Sequence, residues 1–313
     1  MSHEPLVTIG IPTYNRPAGL ERTLRSITAQ TYQNLEIVIS DNCSPDKAVQ
    51  DIAQQYVDRD ARVTYFRQET NIGAVGNFFS LLELAKGDYF MWAADDDWWN
   101  KDFVEVSVGL LLENPNAAVA VTAFEPLPDP DGKPRLLPLS YEKIREFSEP
   151  DTCRRLLRYI AQKDAFGKAH IAYGMFPTGI IRESVGTLKR IVEPVMPVAE
   201  FEKVDVFLNA VVLSHGDLVT SDRCLRKYSA GPRKSVGGIK PRLGGRELTF
   251  ANGLEFMRKL VRELGIPESE KDKLLRGIKQ RAIRYRLERI GRKALIYKLY
   301  WSIYKRLRFR YYR

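Results

Sequence analysis

Two apolar rhythms alternate through the first hundred residues. Leu6 to Pro12 is a short β-branched run that stops at a proline, the pattern of a buried parallel strand meeting a loop. From Pro17 to Thr31 the apolar residues Leu20, Leu24 and Ile27 fall at helical spacing, with Pro17 suited to a first turn. Leu35 to Ile39 is again strand-like and closes on Ser40-Asp41-Asn42. A strand, helix, strand unit of this kind predicts parallel pairing and a right-handed crossover. The pattern then repeats, with a helix from Lys47 to Tyr56, a strand from Val63 to Phe66 and a loop through Asn71-Ile72-Gly73. A helix from Val75 to Ala85 and the apolar segment Tyr89 to Ala94 follow, and the segment runs into Asp95-Asp96-Asp97. This predicts an α/β, doubly wound, mostly parallel sheet flanked by helices. Ligands of such sheets bind beyond the carboxyl ends of the strands, which would gather Pro12, Thr13, Tyr14, Asn15, Asp41 and the three aspartates at one edge.

Further along, the pattern predicts a helix over Phe103–Leu112, a strand over Ala117–Phe124, a helix over Thr152–Ala161 and a strand around Gly179–Arg182. A helix over Val204–Leu213 and a strand over Leu218–Ser221 come next. Pro126 to Pro138 reads as a loop, and the Gly-rich, basic stretch Ser229 to Arg246 as a second loop outside the core. Helical patterning dominates from Phe250, broken at Gly265-Ile266-Pro267. The expected division is a main α/β domain over 1–248 and a basic helical region over 249–313.

Composition adds little to the fold but much to the ends. With 44% hydrophobic and 28% charged residues the chain is an ordinary globular one. Its net charge of +10 is unevenly placed: residues 271–313 hold 16 Lys/Arg against 2 Asp/Glu, and the rest 33 against 37. A mildly acidic body with a basic tail points to a polyanionic partner. In Arg289–Arg313, aliphatic and aromatic residues interleave with Lys and Arg, which suits an interfacial amphipathic helix on an anionic membrane surface. The plainer alternative is a helix packed on the catalytic domain with a solvated basic face, and no motif supports nucleic acid. Cys43, Cys153 and Cys224 have no disulfide or zinc spacing, and Met1 to Pro5 does not open a signal peptide. The expected setting is cytoplasmic, peripheral on the membrane face.

Three consecutive carboxylates at a strand end repel one another, and a hard divalent ion shared with a diphosphate, Mn²⁺ or Mg²⁺, would offset them. A solvated acidic turn is the alternative. Asp41 is placed to accept hydrogen bonds from a nucleobase or ribose, or simply to close a turn with Ser44. His170 and His215 lack metal-pair spacing and read as structural or exposed.

VTIGIPTYNRP (Val7–Pro17), EIVISDNCSPD (Glu36–Asp46), NIGAVGN (Asn71–Asn77) and GDYFMWAADDDWW (Gly87–Trp99) resemble, in order and spacing, the nucleotide-binding half of family 2 inverting glycosyltransferases with the GT-A fold. The resemblance covers about residues 5 to 230. It implies that Pro12, Thr13, Tyr14 and Asn15 line the nucleoside, that Asp41 reads the base, usually uracil, and that Asn71 and Gly73 lie beside the ribose and sugar. It places Asp95 near the ribose, Asp96 on the metal and Asp97 on the adjoining acceptor side, also as a metal ligand, while Ala94 replaces the frequent first aspartate of the motif. The family's general base maps to Asp205, with Glu200 and Glu202 close enough to compete; Val204 stands where the family has Glu. Arg233, with Lys234, takes the place of an Arg and His that the family carries after this strand, as a diphosphate contact. The implied partners are a nucleotide-sugar donor and a carbohydrate or lipid-linked acceptor. The rival reading, kept open by the departures at Ala94, Val204 and Ser229, is a catalytically inactive nucleotide- or lipid-binding protein of the same fold.

Overall fold

The structure is a computed structural model, and it describes residues 4–128, 140–162, 167–194, 204–229 and 245–283. Every residue of β1 (Val7–Thr13) is buried, as befits an apolar strand covered on both faces. α1 (Pro17–Thr28) starts with its proline in the first turn and turns Leu20, Leu24 and Ile27 inward. β2 (Leu35–Asp41) follows, then α2 (Lys47–Arg59), whose N-terminus is capped by the Asp46 side chain accepting from the Ala48 N–H at 3.0 Å. β3 (Val63–Arg67), α3 (Gly73–Leu84) and β4 (Tyr89–Trp92) complete the first half. The four strands lie in the order β3-β2-β1-β4, all parallel, with Thr13 level with Asp41 and Asp41 level with Arg67. The expected βαβ units are all present, and their carboxyl ends face the same way.

The second half extends the sheet past β4. Its elements are β5 (Trp98–Trp99), α4 (Phe103–Glu113), β6 (Ala117–Pro126), α5 (Ser140–Arg145), α6 (Thr152–Ala161), a 3₁₀ helix (Lys168–Tyr173) and β7 (Met175–Pro177). α7 (Thr178–Val192), α8 (Val204–His215), β8 (Asp217–Tyr228), α9 (Gly245–Glu263) and α10 (residues 268–283) follow. The sheet order continues β4-β7-β6-β8-β5, with β7 antiparallel to β4 and β6, and β6 parallel to β8. β5 pairs antiparallel with the end of β8, Trp98 opposite Lys227 and Trp99 opposite Arg226. This pairing brings the residues after the aspartates against a strand more than a hundred residues away.

The strand expected around Gly179–Arg182 is instead the first turns of α7, and the strand lies just before it. Ile181, Ser184, Val185, Leu188, Ile191 and Val192 are buried at helical spacing, so the Gly-Ile-Ile-Arg run belongs to a 3.6-residue period. One core layer lies under α1, α2 and α4; the other joins α3, α6, α7 and α8 with Phe256, Met257, Leu260 and Val261 of α9 and Leu274 and Ile278 of α10. The break at Gly265-Ile266-Pro267 falls between these last helices, as expected. Among the described residues no helix is long and apolar enough to cross a membrane.

Candidate active site

The carboxyl ends of β1, β2 and β4 are stitched together by side chains. Thr13 Oγ1 donates to Asp95 Oδ2 at 2.9 Å, and the Thr13 carbonyl accepts from the Asn42 N–H at 2.9 Å. Asn42 then reaches the loop before α3: its Nδ2 donates to Asn71 Oδ1 at 2.9 Å, and its Oδ1 accepts from the Ile72 N–H at 2.8 Å. Asn71 Oδ1 also receives the Gly73 N–H at 2.9 Å, and Gly73 sits at φ +79°, where a side chain is strained. Asn15 adopts φ +56° with its N–H on Ser44 Oγ at 2.8 Å, while Tyr14 beside it is exposed. Thus Pro12, Thr13, Tyr14, Asn15, Asp41, Asn71, Gly73 and Asp95 to Asp97 come together at one sheet edge.

Asp41 is fully buried and saturated. Its Oδ1 accepts from Ser44 N–H (2.9 Å) and Ser44 Oγ (2.5 Å), and its Oδ2 from Tyr65 Oη (2.8 Å) and Arg67 Nη1 (2.9 Å). The turn with Ser44 weighed from sequence is therefore present. Burial, and then the bond to Asp41, push the Tyr65 phenol up to about 12.

The three aspartates divide between two sides of the sheet. Asp95, buried, faces β1 through Thr13 and takes the Arg16 guanidinium on Oδ1 at 3.0 Å; Arg16 also reaches Asp96 Oδ2 at 3.2 Å. Burial raises the Asp95 carboxyl, against the pull of Arg16 and Thr13. Asp97, also buried, faces β8: its Oδ1 accepts from the Ser229 N–H at 2.9 Å and its Oδ2 lies 3.8 Å from Arg226 Nη1. Burial lifts Asp97 to about 6, even with Arg226 drawing it down. Asp96 between them has the most accessible side chain of the three, 30% exposed. The backbone of the turn is held from α1, where Arg22 Nη2 donates to the Asp96 carbonyl at 2.6 Å and Thr23 Oγ1 lies 2.9 Å from the carbonyls of both Ala94 and Asp97.

Arg16 and Arg226 are the protein's own counter-charges to this turn, a role the sequence pattern did not reveal. Arg226 is buried beneath the rings of Tyr173, Phe124 and Trp99, at 4.7, 5.1 and 5.6 Å from its guanidinium carbon, and its Nη2 donates to His170 Nδ1 at 2.6 Å. His170 is held well below its ordinary pKa by burial and by Arg226. Burial, then Asp97, raise the phenol of Tyr173, which also feels Asp205 and Asp96. Asp205, in the first turn of α8, accepts from the Val206 N–H at 2.9 Å. Glu200, Glu202, Arg233 and Lys234 lie outside the described residues. Among the described residues no group of three His, Cys, Asp or Glu side chains is arranged to hold a metal ion.

Residues 8–175 match the profile of Glycosyl transferase family 2, more than half of the chain. The chain belongs to that family. Over 131 residues, 42% of this chain and 51% of the relative, it is 34% identical to a Bacillus subtilis (strain 168) protein named for teichuronic acid biosynthesis, glycosyltransferase TuaG. Over 108 residues, 34% of this chain and 38% of the relative, it is 35% identical to an Escherichia coli (strain K12) protein named for colanic acid biosynthesis, glycosyl transferase WcaA. The chain spans about half or less of the length of these curated relatives. Among solved structures, S. aureus TarS 1–349 in complex with UDP-GlcNAc superposes with a TM-score of 0.65 at 18% identity, over 90% of this chain and 73% of that one. The mannosyltransferase PcManGT from Pyrobaculum calidifontis, in complex with GDP-Man and Mn²⁺, gives 0.55 at 14% identity, over 96% and 83%. The fold of this family member is of the GT-A type.

Proposed function

We propose that this family 2 glycosyltransferase is an inverting enzyme that moves a sugar from a nucleoside-diphosphate donor, a UDP-sugar, to an acceptor hydroxyl. The product would belong to a cell-surface polysaccharide or glycolipid. The observation that carries the reading is the aspartate turn tied through Thr13 and Asn42 to the loop of Asn71 and Gly73, with Asp96 its accessible carboxylate. The TarS complex with UDP-GlcNAc and the polysaccharide relatives support the donor and product classes.

Pro12 to Asn15 would hold the nucleoside, with Asp41 bracing that edge through Ser44, Tyr65 and Arg67 instead of reading the base itself, and Asn71, Gly73 and Asp95 would hold the ribose and sugar. The donor set at the turn is hard oxygen with one accessible carboxylate, which suits a Mn²⁺ or Mg²⁺ ion that takes its other ligands from a diphosphate and water; Asp96 would hold it, with Asp97 adjoining. When bound, such an ion supplies positive charge against the diphosphate. Asp205 takes the acceptor proton as the acceptor oxygen bonds to the anomeric carbon. The bond from that carbon to the diphosphate oxygen breaks on the opposite face, and the nucleoside diphosphate departs with the electron pair. Arg233 is the proposed diphosphate contact in the segment following β8, and the basic stretch Arg289–Arg313 the contact to an anionic membrane. Sedimentation with vesicles containing phosphatidylglycerol tests the last point, and binding indifferent to anionic lipid would refute it.

The deciding experiment is turnover of a panel of nucleotide sugars with Mn²⁺, for wild type and Asp96→Asn. Metal-dependent release of nucleoside diphosphate, reduced on the order of 100-fold in Asp96→Asn, is expected. Nucleotide binding with no turnover would instead match the inactive-protein reading.

A further inference from the structure

The end of β8 holds a buried group that the proposed reaction does not use. Arg226 is 2% exposed, yet its Nη1 has no hydrogen-bond partner. Buried guanidinium nitrogens are rarely left unpaired, so the arrangement needs a reason. The other nitrogens do not explain it away, because Nη2 is committed to His170 Nδ1 at 2.6 Å. Arginine only donates, so the ring nitrogen must accept, and His170 is fixed as the neutral tautomer protonated on Nε2. His170 is in turn packed against the tilted rings of Phe124 and Tyr228, with ring centroids at 4.3 and 4.5 Å. The guanidinium plane is held by the three rings around it, which leaves one direction for Nη1, toward Asp97 Oδ2 at 3.8 Å. That separation is too long for a hydrogen bond but short for a charge pair in a site closed to water.

The Asp97 side chain is thus gripped from β8 and the residue after it, on Oδ1 by the Ser229 N–H and beside Oδ2 by Arg226, while the Asp95 side chain two residues earlier is gripped from β1 by Thr13 and from the loop after it by Arg16. The two ends of the turn have separate supports. We propose that Arg226, locked by His170, is a positioning residue that holds the Asp97 carboxylate on the β8 side of the turn, beside Tyr173 and apart from Thr13, Asn42 and Asn71, and so serves transfer to the acceptor rather than donor binding. The proposal rests on the glycosyltransferase reading given above. It predicts that kinetic damage at Arg226 or His170 leaves nucleotide affinity intact, because the nucleotide side hangs on Thr13, Asn42 and Asn71.

The test compares His170→Leu, which removes the acceptor for Nη2, with His170→Asn, whose Oδ1 stands at the position of Nδ1; Arg226→Met is the harsher companion. For each, kcat for sugar transfer is measured beside the UDP dissociation constant, with Tm as a control for folding. Outer partners of site residues typically matter 10–100-fold, so kcat in His170→Leu should fall by about that factor. The UDP dissociation constant should stay within about twofold, and His170→Asn should recover most of the lost rate. Unchanged kcat in a folded His170→Leu overturns the proposal, as does a loss of UDP affinity parallel to the loss of kcat. Equal losses in His170→Leu and His170→Asn that follow Tm do the same, since a structural role alone would give them. Wild-type protein that turns over no nucleotide sugar would overturn the reaction itself and the positioning role with it, an outcome visible before any variant is made.

Discussion

Thr13 Oγ1 donates a 2.9 Å hydrogen bond to Asp95 Oδ2 across 82 residues of chain, joining the end of β1 to the first aspartate of the turn. Both residues are buried, and the bond is one of few influences that favour the ionised form of a carboxylate that burial disfavours. Thr13→Val keeps the shape and removes the donor. Leaving a buried acceptor short of a partner costs about 1–3 kcal/mol, so Thr13→Val should lose that much in urea unfolding. Thr13→Ser should lose less than half of it. Equal midpoints for Thr13→Val and wild type would show that the bond contributes nothing.

Asp97 yields a prediction whose sign is worth working through. Its folded pKa of about 6 lies above the ordinary 3.8, with burial the first cause. Between those two values the folded protein retains a proton that the unfolded chain has lost, so stability falls as pH rises. The favourable contribution is fully present below 3.8 and is lost as pH passes about 6. The stability of wild type minus that of Asp97→Asn removes the other titrating groups to first order. That difference should decline by about 2 kcal/mol from pH 4 to pH 7 and then stay flat to pH 8. A difference that grows with pH would mean that Arg226 outweighs burial and that the fold favours the carboxylate.

The edge of the sheet was legible because its strands are continuous apolar runs and its motifs stand at their ends. Thr13, Asp41 and Asp95 needed only the rule that parallel strands expose their carboxyl ends together, whereas Asn71, four residues past the end of β3, came from the resemblance. The counter-charges were not legible. Arg226 sits in the run Arg223-Cys224-Leu225-Arg226-Lys227, where nothing local distinguishes the buried Arg226 from the exposed Arg223; its burial comes with the pairing to Trp99 and the rings of Tyr173 and Phe124. His170 looked idle for the same reason, since its partner is 56 residues away. The false strand at Gly179–Arg182 shows the other limit. Two adjacent isoleucines fit either period, and only the buried positions out to Val192 decide for a helix.

Gly19 is the sharpest check on how tightly the aspartate turn is built against α1. A glycine inside a helix costs about 1 kcal/mol relative to alanine, so Gly19→Ala on an open surface would stabilise the protein. Here an added Cβ would lie 2.5 Å from the Asp95 carbonyl oxygen and 3.5 Å from the Asp96 Cα. Backbone atoms cannot rotate out of the way as a side chain end can. The helix cannot easily retreat either, since Arg22 and Thr23 on its next turn bind the carbonyls of Asp96, Ala94 and Asp97. Overpacking of this kind costs about 1–3 kcal/mol, enough to reverse the helical gain. Gly19→Ala should therefore unfold at lower urea than wild type, and displacement of the turn should weaken UDP binding as well. A variant as stable as wild type, with full UDP affinity, would show that the turn gives way at little cost and that its position is not set by α1.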